Sequence, residues 1–94
     1  MHKFRELKVS QRAMDSVTEI YRVSARFPRP GQSGLTSRMR RAGHSIPLNI
    51  ADGAGADSDP EFGRFQSYAL RSTYEVMTAL ETAQRLGHCS PEKT

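Results

Sequence analysis

The side chains that could do chemistry are few and scattered. His2, His44 and His88 lie far apart, and none stands at metal-ligand spacing from another histidine or from the single cysteine, Cys89. Asp57, Asp59 and Glu61 alternate as the start of a calcium-binding loop would. Pro60 interrupts them, however, and the ligands that should follow are missing, so helix capping explains them better. Gly53-Ala54-Gly55 is a fragment of a dinucleotide fingerprint with no strand before it. No set of nucleophile, base and electrophile passes the requirements of an active site. The expectation is a protein that is not an enzyme, with no metal and no cofactor.

Arginine is the residue type that does organise. Between Ile20 and Ala51 there is no acidic residue, while Arg22, Arg26, Arg29, Arg38, Arg40 and Arg41 all fall there. The net charge is +4, so this third of the chain supplies all of the basic excess. Such a stretch attracts nucleic acid or another polyanion. Arg38, Arg40 and Arg41 have no acid nearby in sequence, and guanidinium forks suit phosphate geometry. Arg64, Arg71 and Arg85 share one heptad position further on, but Glu61, Glu75 and Glu81 stand three or four residues from them. That spacing predicts local ion pairs. With 7% aromatic residues and no tryptophan, contact with the phosphate backbone is expected ahead of base stacking.

The elements that must position these arginines are helices. Leu7, Ala13, Val17, Ile20, Ser24 and Phe27 mark an amphipathic helix over about 4–27, ended by the breaker cluster Pro28 to Gly34. Leu35, Met39, Ala42, Ile46 and Ile50 mark a second over about 35–52. Pro47 should kink it, or divide it near Ser45, with the small Gly43 easing the adjustment and Gly53 and Gly55 supplying its stop. Ser58 and Glu61 have capping-box spacing, and Asp59 before Pro60 is an alternative cap. From there Phe62, Phe65, Ala69, Ser72, Val76, Ala79, Ala83 and Leu86 form a heptad seam over about 59–86, with a second apolar line of Leu70, Met77 and Leu80. A tail over 87–94 begins with Gly87 as a helix stop, and its Ser90, Pro91 and Glu92 read as the opening of a further helix. The fold expected is therefore all-α, a single antiparallel up-and-down bundle over 1–94 with its fourth helix missing. No run approaches signal-peptide or membrane-span length, and a lone cysteine fits a reducing compartment, so the expected location is the cytoplasm, away from membranes.

Four stretches then carry a resemblance: "FRELKV" at 4–9, "GLTSRMRRA" at 34–42, "SIPLNIADG" at 45–53 and "EFGRF" at 61–65. Together they resemble the four helix bundle family, also called the 23S rRNA-intervening sequence protein family. That family is similar to the accessory variability proteins of diversity-generating retroelements. Ser45, Ile46, Pro47, Asn49, Ile50, Ala51 and Gly53 match its second-helix pattern, with Asp52 where glutamate is usual. The resemblance implies a bacterial up-and-down four-helix bundle assembled as a ring-shaped homopentamer, with no known enzymatic activity. In the retroelement relatives it implies binding of nucleic acid and of a reverse transcriptase. Ser10 stands where tryptophan is frequent, Gly87-His88-Cys89 replaces a more apolar ending, and the fourth helix is absent, which raises the expectation of a truncated copy. The residues and the resemblance together predict a self-assembling bundle subunit that binds RNA or DNA through Arg22, Arg26, Arg29, Arg38, Arg40 and Arg41. The rival expectation is a protein-interaction module that meets an acidic or reverse-transcriptase-like partner.

Overall fold

The structure, a computed structural model, describes residues 2–28 and 33–89; the side chains of residues 2–7 and of Ser33 lie outside that description. Among the described residues the chain is all-α, with α1 at His2–Ser24, α2 at Ser33–Ala54 and α3 at Asp59–Arg85, and no strand. The bundle therefore shows three helices, and the expected further start at Ser90 lies outside the described residues.

α2 is the central helix, packed on α1 along one side and on α3 along the other, while α1 and α3 scarcely touch. Both neighbours run antiparallel to it. Ile20 meets the backbone of Gly43 and Ser24 meets Arg40; Ser72 meets Ser45, and Phe62 and Phe65 meet Gly53. The seams expected from period 3.6 supply the buried positions: Ala13, Val17 and Ser24 on α1, Met39 and Ala42 on α2, and Ala69, Ser72, Ala79 and Ala83 on α3. The densest packing gathers Phe27, Met39, Ala79 and Ala83, with Ile20, Val23, Leu35, Val76, Leu80 and Cys89 around them.

Two glycines of α2 have tasks that differ from those expected. A Cβ on Gly43 would stand 2.6 Å from Ile20 Cδ1, so the missing side chain makes room for α1. A Cβ on Gly53 would stand 3.3 Å from Phe65 Cβ, so this glycine lies inside the helix, against α3, and does not end it. Nor does α2 divide at Ser45. It runs unbroken through the buried Pro47, and the expected kink is not shown. Proline removes a single backbone donor, and the rest of the ladder is retained on both sides.

The ends are built locally. The last residues of α1 tighten into bonds of three-residue span, Arg26 N–H to Val23 and Phe27 N–H to Ser24, so the helix stops at Ser24 while Phe27 still folds back into the core. Ser58 caps α3 by accepting from the Glu61 N–H at 3.2 Å, and the Glu61 carboxylate accepts from the Asp57 N–H at 3.0 Å. At the other end Gly87 has φ 79°, its N–H bonds to Gln84, and the His88 N–H bonds to Ala83 at 2.8 Å. That bond pair is a Schellman ending, which needs a left-handed residue where glycine stands. Leu86 is the cap residue and points to solvent, outside the seam it was expected to close.

Candidate nucleic-acid interface

Where α2 lies against α3, the outer side of the pair is a groove of about 800 Å³. Its floor is made of small residues, Ala42 and Ala79, which let the two helices approach, and of the hydroxyls of Ser45 and Ser72. Arg38 and Arg41, one helical turn apart, form the α2 wall. Arg71, Tyr74 and Glu75 stand on the α3 wall. A polar cluster fastens the walls from below. Ser72 Oγ donates to Ser45 Oγ at 2.8 Å, and the Asn49 amide donates to both the carbonyl and the hydroxyl of Ser45 at 2.9 Å. The Asn49 side chain thus bonds back along α2 to the residue one turn before it, across the position of Pro47.

The expected arginines separate into distinct situations. Arg38 and Arg41 are exposed and share the groove. Arg40 lies half-buried toward α1, where its Nε donates to Ser24 Oγ at 2.8 Å, its Nη2 donates to the Tyr21 carbonyl at 3.3 Å, and the guanidinium lies 4.5 Å from the Tyr21 ring centre. It joins two helices. Arg22 is exposed and bound to Glu19; the hydrogen bond from Arg22, reinforced by its charge, holds the Glu19 carboxyl below its usual range and raises the Arg22 guanidinium. Arg26 is exposed just past the end of α1, and Arg29 lies outside the described residues.

Sequence reasoning missed Arg71 by assigning it to an ion pair with Glu75. Among the described residues the ion pairs are Glu19 with Arg22 and Glu81 with Arg85. Both place the acid N-terminal to the base, the order that the helix favours, whereas Arg71 precedes Glu75. Arg71 instead lies over Tyr68, 5.8 Å from its ring centre. Pair order was the signal available in the sequence. Glu61 is likewise removed from Arg64, since its carboxylate serves the cap.

A second groove, of about 520 Å³, opens on the opposite side between α1 and α3, over Ile46 and Ile50 of α2. Val9, Leu70 and Met77 are about half exposed along that side of the bundle. Its lining is mostly apolar, broken by Asn49, Gln66 and Thr73, and holds no described arginine. Among the described residues no three His, Cys, Asp or Glu side chains gather as a metal site would require, and no helix is long and apolar enough to cross a membrane. None of the curated proteins matches the chain. Residues 5–94 match the description "23S rRNA-intervening sequence protein", so nearly the whole chain is covered and it belongs to that family.

Proposed function

We propose that this chain is a non-enzymatic, self-associating helical subunit that binds nucleic acid along the outer α2–α3 groove. The observation that carries the reading is the meeting of Arg38, Arg41 and Arg71 on facing walls of one groove, with no ion pair to any of them among the described residues. An arginine free of carboxylate partners keeps its donors for phosphate. Three charges per subunit are a modest site, and repetition around an assembly would raise its avidity. The ring of five implied by the family resemblance is the assembly proposed.

The apolar groove between α1 and α3 supports self-association by a different route. Leu70 and Met77 are more than half exposed on a helix whose other seam is well buried, which is unusual for a chain that acts alone. That face would take either a further helix of the bundle or a second subunit. The basic and apolar grooves lie on opposite sides of the α2–α3 contact, so assembly through one leaves the other accessible.

The test is fluorescence anisotropy of labelled RNA and DNA titrated with the chain, alongside its solution mass by light scattering. Saturable binding by an oligomer, weakened when Arg38, Arg41 and Arg71 are replaced by alanine, supports the reading. Equal binding by the substituted protein removes the groove from the function. Saturable binding of an acidic protein segment at physiological salt, with no binding of RNA or DNA there, would favour the protein-interaction reading.

A further inference from the structure

We infer that the ligand of the outer groove is single-stranded nucleic acid, with one base stacked on Tyr74; this rests on the groove being the nucleic-acid site. The chain has three tyrosines, all of them exposed: Tyr21 at 45%, Tyr68 at 38% and Tyr74 at 59%. The first two are already engaged, Tyr21 beneath Arg40 and Tyr68 beneath Arg71 and against Phe65. Tyr74 has no ring or cation partner among the described residues, and it is the tyrosine that lines the groove. A large ring left open to water between arginines is the arrangement that stacks a nucleobase while cations hold the adjoining phosphates.

Glu75 decides between one strand and two. It lies in the same groove as the three arginines, yet pairs with none of them. A duplex laid along this groove would bring its phosphates against that carboxylate, with its Watson–Crick N–H groups paired and its remaining base-edge donors recessed between the two strands. A single strand alternates phosphate with base. Its exposed amino and ring N–H groups can donate to Glu75 while its phosphates lie toward Arg38, Arg41 and Arg71. The groove thus carries each complement that an unpaired nucleotide needs: cations, a free aromatic face and an acceptor. Composition alone pointed away from stacking, because it counts aromatics without showing that one of them stands open beside the arginines.

The experiment compares a short fluorescein-labelled RNA of mixed sequence with the same sequence as a duplex, at one fixed salt concentration. It uses the wild-type chain and the variants Tyr74→Ala, Tyr74→Phe and Glu75→Gln. Because Tyr74 and Glu75 are both exposed, their replacement leaves the fold intact, which circular dichroism verifies. The expected result is tighter binding of the single strand. Tyr74→Ala should weaken it about 5- to 150-fold, the range for loss of one stacked base, and Tyr74→Phe should retain it. Duplex binding should hardly respond to either, and Glu75→Gln should narrow the difference between the two ligands. Equal wild-type affinity for both forms, or a single-strand affinity unmoved by Tyr74→Ala, overturns the inference while leaving the groove as a phosphate site. Absence of binding to both forms overturns the groove reading itself, and the inference with it.

Discussion

Salt dependence gives the proposed groove a quantitative signature. Arg38, Arg41 and Arg71 line it together, and each guanidinium can neutralise one phosphate. On a single strand every neutralised phosphate contributes about −0.7 to the slope of log affinity against log salt, so the three contribute about −2 per subunit engaged. At that slope a doubling of salt weakens binding about fourfold through the groove alone. Replacing all three by alanine should therefore flatten the slope by about 2 for each subunit that the strand touches. A matched control is available in Arg12, Arg64 and Arg85, which are exposed, carry the same total charge and line neither groove. Their triple replacement should lower affinity slightly through the overall field and leave the slope near its wild-type value. The assay is anisotropy titration across a salt series, with thermal unfolding of each variant as the check on folding. If the groove variant keeps its slope, or the control loses as much, attraction is spread over the whole surface and no groove exists in the functional sense.

Three further outcomes separate positioning from binding. Arg40→Ala should lower stability by about 1–2 kcal/mol, because it removes hydrogen bonds to Ser24 and Tyr21 and a cation–π contact, while groove affinity changes little; a variant that lost affinity without stability would return Arg40 to the site. Met39, 1% exposed at the centre of the core, should cost about 2–5 kcal/mol as Met39→Ala, seen as a large fall in the thermal midpoint, and a drop below about 1 kcal/mol would mean that the core is looser than its packing implies. Glu19 has its carboxyl lowered by Arg22, so its small contribution is present above the ordinary carboxylate range and lost as pH falls through the lowered value. Wild type and Glu19→Gln should accordingly differ slightly in thermal midpoint at neutral pH and converge in acid, and a difference that persists in acid would refute the assignment.

Much of this architecture was legible because it depends on period. The α3 seam predicted Ala69, Ser72, Ala79 and Ala83 as inward positions, and all four are buried; Ser58 and Gly87 act as the start and stop signals expected of their types. What sequence could not reveal depends on the atoms that a neighbouring helix brings. In one dimension Gly43 looks like relief for Pro47 and Gly53 like a helix stop, yet each is a place where Ile20 or Phe65 comes closer than a methyl group would comfortably allow. Arg40 looks like Arg38 and Arg41 in the string, but its position on α2 turns it toward Ser24 and Tyr21. Arg71 and Tyr74 belong to the site only because α3 lays them opposite α2, a pairing between residues some thirty positions apart that no local pattern encodes.

The stretch from Ser45 to Gly53 then has a physical role that is distinct from contact with a ligand. Ser45 lines the basic groove and Asn49 the apolar one, and the hydrogen bonds that join them to each other and to Ser72 lie between the two. One turn further along, Gly53 lets Phe62 and Phe65 close against α2. These contacts fix both the separation and the register of α2 and α3. A hydroxyl pair at 2.8 Å tolerates neither a sliding helix nor a wider gap. Because Arg38 and Arg41 ride on α2 and Arg71 rides on α3, the spacing of the cations across the groove is inherited from this fastening and from the small residues of the floor. Substitutions among Ser45, Asn49, Gly53 and Ser72 would thus act on binding through geometry, without touching phosphate.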